Sequence, residues 1–255
     1  MISGASSGIG SALAQYYARD GVLLGLLGRN QSRLRAIEEK CRRLGADTRI
    51  GLIDSRLRQE TSRWLEAVDN ERPIDLAIAN AGVMSGRSST STIEDANDSH
   101  ALLDTNVLGT LNFIQPLLPK MVERKVGQIA IISSIGAFIP LPDAPSYGAS
   151  KAALLSYGLA LRGLLDPHGV KVSVVCPGYV NTPMAEQESG AKPFAIDPTV
   201  AARTIAHGLA LNKPIVAFPT FFSWMTRIGG LLPDRLRRWT QRPYRFTVEQ
   251  RRADS

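Results

Sequence analysis

Short apolar runs alternate with longer amphipathic stretches along most of this chain. Runs at residues 22–27, 49–53, 76–79, 128–132, 171–175 and 214–218 are rich in Val, Ile, Leu and Ala, and each has the length of one buried strand. The segments between them are long enough for crossover helices. That alternation predicts an α/β fold in three α/β/α layers, a parallel doubly wound sheet with helices on both faces. One helix is bounded by its own residues. Asn30 can cap its start, Leu34, Ile37 and Cys41 share a face up to Leu44, and Gly45 can close it in a left-handed conformation. No repeat, low-complexity block or Gly/Ser linker breaks the pattern before Phe218. Residues 1–218 are therefore expected to form a single domain, with 219–255 an aromatic and arginine-rich extension of it.

The beginning of the chain departs from this pattern. In a doubly wound sheet the first strand is central, yet only Met1 and Ile2 precede a glycine-rich turn. Two residues span about 7 Å, against about 17 to 20 Å for a typical strand. The expectation is an authentic start several residues upstream, with additional residues that are apolar and β-branched.

With 255 residues, 44% of them hydrophobic, there is apolar material for one sizeable core. Lys+Arg 30 against Asp+Glu 23 gives a net charge of +7, but residues 224–255 hold eight Arg against Asp234, Glu249 and Asp254. Basicity is local, which argues against a nucleic-acid binder. Cys41 and Cys176 lie far apart and only 3 His are present, so neither a disulfide framework nor a metal site is expected. No apolar run reaches the roughly 18 to 20 residues of a membrane span, and no charged or apolar leader opens the chain, so a cytoplasmic protein is expected.

Candidate chemistry begins at the first turn. Ser3-Gly4-Ala5-Ser6-Ser7-Gly8-Ile9-Gly10 places three glycines where a strand should pass into the helical stretch 12–17. Glycine lets backbone N–H groups approach a pyrophosphate, and a helix N-terminus favours its charge. At the end of the second strand, where an acidic side chain would accept from the ribose hydroxyls of NAD, the chain has Gly28 followed by Arg29. A guanidinium there can fork onto a 2′-phosphate, which points to NADP(H) over NAD(H); the plainer alternative makes Arg29 and Arg33 the solvated first turn of a helix. Asp54 can accept from an adenine amino group. Asn80-Ala81-Gly82 ends an apolar strand with small residues that leave room for a cofactor, and the Asn amide can brace neighbouring backbone.

Tyr147 and Lys151 stand four apart at the start of a helix and project from one face. An ammonium beside a phenol is expected to lower its pKa towards useful acid/base chemistry. Such a pair arises easily by accident, so its order among other motifs carries more weight than the pair.

In that order the chain resembles the short-chain dehydrogenase/reductases, over residues 1 to about 218. Gly4-x3-Gly8-x-Gly10, Asn80-Ala81-Gly82, Asn106, Ser134, Tyr147-x3-Lys151 and Pro177-Gly178 fall in the family's sequence and spacing. The resemblance implies a Rossmann-type single domain with a carbonyl or alcohol as small-molecule substrate. It implies that Tyr147 exchanges a proton with the substrate oxygen as hydride moves to or from the nicotinamide, and that Ser134, 13 residues before Tyr147 and preferred over Ser133, hydrogen-bonds the same oxygen. Lys151 would tune Tyr147 and hold the nicotinamide ribose, and Asn106 would position a water on the proton path. Ser6, Ser7 and Ile9 of the glycine-rich turn, with Pro177, Gly178, Val180 and Thr182, would line the cofactor. It further implies a homodimer or homotetramer. The rival from another class is a non-catalytic dinucleotide sensor, which has no need of all four catalytic side chains.

Substrate choice falls to the C-terminal part of the chain. Residues 183–198 are irregular and match the family's mobile cover over the substrate. Beyond them Phe221, Trp224, Met225, Ile228, Leu231 and Leu232 recur at helical spacing beside Arg227, Arg235, Arg237, Arg238, Arg242 and Arg245. Packing of that face on the core or on another subunit is the preferred reading; peripheral contact with an anionic membrane, admitting a lipophilic substrate, is the alternative.

Overall fold

The computed structural model describes residues 1–242 and 245–249, so Arg251 and Arg252 of the basic tail lie outside the described residues. Its strands are β1 (Ile2–Ser3), β2 (Leu23–Gly28), β3 (Asp47–Leu52), β4 (Leu76–Ala79), β5 (Gly127–Ile132), β6 (Val170–Pro177) and β7 (Ile215–Phe218). They form one parallel sheet in the order β3-β2-β1-β4-β5-β6-β7. The six apolar runs map onto β2 to β7, with the run at 76–79 coinciding with β4. The run at 171–175 continues to Pro177, because Cys176 and Pro177 still pair with Ala217 and Phe218 of β7.

The central strand is as short as its sequence implies. Ile2 of β1 is in register with Leu26 on one side and Ile78 on the other. The ladder runs to the first atom of the chain: the Met1 ammonium donates to the Leu76 carbonyl at 2.7 Å, and its carbonyl accepts from Ile78 N–H at 2.8 Å.

Ten α-helices are formed among the described residues, eight of them on the two faces of the sheet. On one face lie α1 (Gly8–Tyr17), α2 (Gln31–Arg43) and, from later in the chain, the helix at Pro198–Ala210, with Leu13, Leu34 and Ile205 fully buried against the sheet. The other face carries α3 (Arg58–Glu71), α4 (Ala96–Leu103), α5 (Gly109–Ile114), α6 (Leu118–Arg124) and α7 (Pro145–Leu165). Leu65, Phe113, Met121 and Leu154 fill that second core. Each such side chain contributes about 1.5 to 3 kcal/mol of burial, and the two layers together explain why the strands are apolar almost throughout. The Pro198–Ala210 helix is α8; α9 (Thr220–Leu231) and α10 (Asp234–Gln241) follow β7.

Local signals set several boundaries. The Asn30 side chain accepts from Arg33 N–H at 2.9 Å, and Gly45 adopts φ +93 as the chain leaves α2. Helix α1 starts at Gly8, four residues before the stretch legible from periodicity, so Gly8 and Gly10 belong to its first turn. Asn106 occupies a π-helical turn at Asp104–Leu108 between α4 and α5. The loops after β1, β4, β5 and β6 converge at the carboxyl edge of the sheet, where the order reverses between β1 and β4.

Candidate active site

A cleft of about 1050 Å³ opens at that edge. Its floor is the turn from β1 into α1. Gly4 and Gly8 hold φ +64 and +53, a region that side chains resist, and a Cβ on Gly10 would strike the Gly4 carbonyl oxygen and the Asn80 amide. Asn80 explains the close approach: its Nδ2 donates to the carbonyls of Ser3 and Gly4 at 3.1 Å each. In return the Ser3 hydroxyl accepts from the N–H groups of Asn80 and Ala81, both at 3.0 Å. Ser7, at the N-cap of α1, makes no side-chain cap. First-turn N–H groups are left facing the cleft without one, which fits a phosphate-bearing group.

Gly4, Ser6, Ser7, Gly8 and Ile9 line the cleft, and Gly10 lies buried beneath it. Arg29 and Arg33 border the outer end beyond Gly28. Asp54 lies outside the lining: its carboxylate takes two hydrogen bonds from the Arg56 side chain, at 2.7 and 3.0 Å, and a 3.5 Å contact from Arg29. Burial alone would raise the Asp54 pKa, but the Arg56 bonds outweigh it and hold the group below the usual carboxylate value. Ala81, Gly82, Pro177, Gly178, Val180 and Thr182 all line the cleft, and a Cβ on Gly8 would come within 3.1 Å of the Thr182 methyl.

Midway along stand the expected reactive side chains. Tyr147 and Lys151 come from the first turns of α7, and Ser134 follows β5. Lys151 is buried, with its Nζ 5.7 Å from the centre of the Tyr147 ring, and donates to the Ile132 carbonyl at 3.1 Å. Adjacent serines divide their work: Ser133 donates to the Lys151 carbonyl at 2.7 Å, whereas Ser134 accepts from Gly136 N–H at 3.0 Å and lines the cleft beside Tyr147.

One expectation is overturned here. The Tyr147 pKa is not lowered: burial pushes it up to about 12, the neighbouring Ser134 hydroxyl opposes that rise, and the negative charge of Glu188 adds to it. Lys151 is itself pushed down to about 8 by burial. Desolvation of both groups outweighs the attraction that their spacing implied.

Asn106 is fully buried, and its amide is spent on protein partners. Its Oδ1 accepts from Val83 N–H at 2.7 Å, and its Nδ2 donates to the Val83 carbonyl at 3.0 Å and to the Ser150 hydroxyl at 3.1 Å. The side chain thus ties the loop after β4 to α7.

Opposite Tyr147 the wall is made by residues that no motif marked. Glu188, only 6% exposed, accepts from the Tyr179 hydroxyl at 2.9 Å. Its pKa is raised by burial, against the Tyr179 hydrogen bond and the more distant Lys192 charge. Asp143, also buried, pairs with Arg87 at 2.8 Å and with Arg245 at 2.6 Å. Residues 245–249 run back along 187–189: Ser189 N–H donates to the Thr247 carbonyl and Glu249 N–H to the Gln187 carbonyl, each at 2.8 Å. Arg245 is therefore a clamp on the cleft rim, which corrects the expectation that it joins a free basic face. The irregular segment 183–198 is fastened in the same way, by bridges of Val180 with Ile196 and Glu188 with Val248.

A family model described as short chain dehydrogenase matches residues 1–192. The 11-beta-hydroxysteroid dehydrogenase-like 2 of Arabidopsis thaliana is 31% identical over 244 residues, 92% of this chain and 77% of that protein. A short-chain dehydrogenase from Sphingobium yanoikuyae, solved in complex with NADPH, superposes with a TM-score of 0.78 at 24% identity, covering 89% of this chain and 91% of the other. One from Mycobacterium paratuberculosis, bound to NAD, gives 0.73 at 24% identity, covering 85% and 93%. The two structures share the fold. The chain belongs to the short-chain dehydrogenase family and is an NAD(P)-dependent oxidoreductase acting on CH–OH or C=O groups.

Proposed function

We propose that this protein uses NADP(H) to interconvert a carbonyl and a secondary alcohol on a largely apolar substrate. The observation that carries the reading is the grouping of Ser134, Tyr147 and Lys151 in the wall of the cleft whose floor is the glycine turn, with the Lys151 Nζ 5.7 Å from the centre of the Tyr147 ring. When bound, the nicotinamide supplies or accepts the hydride. Residues of the chain do the rest. Tyr147, with a pKa near 12, holds its proton at neutral pH and can deliver it to a substrate oxygen that Ser134 also hydrogen-bonds. Lys151, near 8, keeps most of its positive charge at neutral pH and favours the phenolate left behind. Asn106 acts as a positioning residue through Val83 and Ser150.

Preference for the phosphorylated cofactor is supported by Arg29 and Arg33 at the outer end, where β2 ends in Gly28 rather than an acid. An apolar substrate is supported by Ile139, Leu141, Met184, Phe222, Met225 and Ile228 around the inner end, and by a relative named for hydroxysteroids. Residues 219–255 would then form the substrate side of the same domain that 1–218 begins. A cytoplasmic homodimer or homotetramer completes the reading, with Leu103, Leu108 and Leu164 exposed for self-association.

Purified protein assayed with NADPH and NADH against ketones of graded size and polarity tests this. NADPH should be favoured roughly tenfold or more in kcat/KM, the worth of one hydrogen bond to a charged group, with bulky apolar ketones the best substrates. Equal use of NADH would remove the cofactor preference, and a preference for small polar ketones would remove the substrate class.

A further inference from the structure

Helices α9 and α10 hold an unusual share of the protein's exposed apolar side chains. Phe221, Trp224, Met225, Ile228 and Leu231 of α9 and Leu236 and Trp239 of α10 all face solvent, Leu231 at 86% and Phe221 at 69% exposure. Single exposed hydrophobics need no explanation, but seven within nineteen consecutive residues do. Of the two packings the sequence favoured, on the core or on another subunit, the first does not hold: in α9 only Ser223 is fully buried. Five arginines accompany it, at 227, 235, 237, 238 and 242, against one acid, Asp234. Asp234 pairs with Arg237 and Arg238, and Arg227 stacks 4.4 Å over the Phe138 ring. Arg235 and Arg242 remain as exposed cations.

We propose that α9 and α10 dock this protein on the surface of an anionic lipid bilayer. Charge decides among the occupants. A second copy joined through a two-fold axis would set the same arginines against one another, which disfavours self-association through this face. Aromatic and aliphatic side chains with flanking arginines and almost no acid suit the boundary between acyl chains and anionic headgroups. The position of the cleft separates the bilayer from an acidic protein partner. Met225 and Ile228 both line the cleft and face solvent, and Gly229 of α9, Leu232 just after it and Gln241 of α10 continue the lining. An occupant of the face must leave that mouth passable to a small molecule. A bilayer does so and can deliver an apolar substrate from its own interior, whereas a rigid protein would plug the mouth. Delivery of substrate rests on the proposed oxidoreductase reading; docking itself does not, so a binding assay separates the two.

The test is co-sedimentation of the full chain with vesicles of phosphatidylcholine alone and of phosphatidylcholine mixed with phosphatidylserine, at low and high salt. Binding should require phosphatidylserine and weaken with salt. The pair Arg235→Gln and Arg242→Gln should lower partitioning roughly thirtyfold, at about 1 kcal/mol per arginine. Trp224→Ser with Trp239→Ser should lower it as well, while NADPH binding, which reports a folded cleft, stays intact. No sedimentation of the wild-type chain with phosphatidylserine vesicles would overturn the proposal. So would wild-type self-association abolished by the tryptophan pair without vesicle binding, which would assign the face to a second copy. Binding to polyglutamate as tight as to vesicles, and indifferent to the tryptophan pair, would assign it to an acidic protein instead.

Discussion

The Tyr179 hydroxyl donates a 2.9 Å hydrogen bond to Oε1 of Glu188, a buried carboxylate that lines the same cleft as Tyr147. The pair bears on the reaction through charge. Ionised Glu188 disfavours the Tyr147 phenolate and adds to the rise that burial causes.

Glu188→Gln removes that charge and keeps the shape. With its folded pKa raised, Tyr147 needs higher pH to become phenolate, so losing the nearby negative charge should move the limb on which activity rises with pH to lower pH. The profile of kcat/KM for alcohol oxidation measures this. A limb that stays put or moves upward would show that Glu188 does not act on Tyr147.

A second prediction concerns Asp143, which holds Arg87 and Arg245 and so fastens residues 245–249 along the rim. Burial raises its pKa, but the Arg245 and Arg87 hydrogen bonds outweigh that effect and leave it below the ordinary value of 3.8. For a carboxyl depressed in this way the contribution to stability is complete above the unfolded value and is lost as pH falls through the folded one. Asp143→Asn should cost about 1 to 3 kcal/mol at neutral pH, discounted because both arginines are partly exposed, with the wild-type advantage fading only in strong acid. Hydrogen exchange at the Val248 amide, which donates to the Arg87 carbonyl at 3.0 Å, should accelerate in the variant. Unchanged exchange there would mean that the clamp does not hold the segment.

Arg29 is the third target. Its side chain is 55% exposed and makes only a 3.5 Å contact with Asp54, whereas Arg56 holds Asp54 more closely. Arg29→Ala should therefore leave the fold intact. The KM for NADPH should rise about tenfold to a hundredfold with that for NADH almost unchanged, since only the former offers a phosphate to a guanidinium. Parallel loss with both cofactors would assign Arg29 a general role in binding.

What could be read in the sequence was what local physics writes there. Strands such as β4 show as apolar runs because both faces of a parallel sheet are covered, and the glycine turn shows because Gly4, Gly8 and Gly10 meet steric demands that other residues fail. Pairings made only in three dimensions were hidden. Arg245 meets Asp143 across 102 residues, and Glu188 sits in an irregular stretch whose pattern marks no direction. The spacing of Phe221, Trp224 and Ile228 was legible as one helical face, but periodicity does not say whether such a face meets core or solvent. Spacing likewise placed Lys151 beside Tyr147 without revealing the desolvation that governs both.

The central claim is that the Tyr147 phenol exchanges the proton of the reaction. Tyr147→Phe removes only that oxygen, so the decisive measurement is single-turnover oxidation of bound NADPH by a ketone substrate, paired with NADPH titration of the same variant. Turnover should fall by about 10² to 10⁴, the usual worth of a positioned acid/base, while NADPH affinity stays within about twofold. Near-normal turnover in a variant that binds NADPH normally would contradict the assignment.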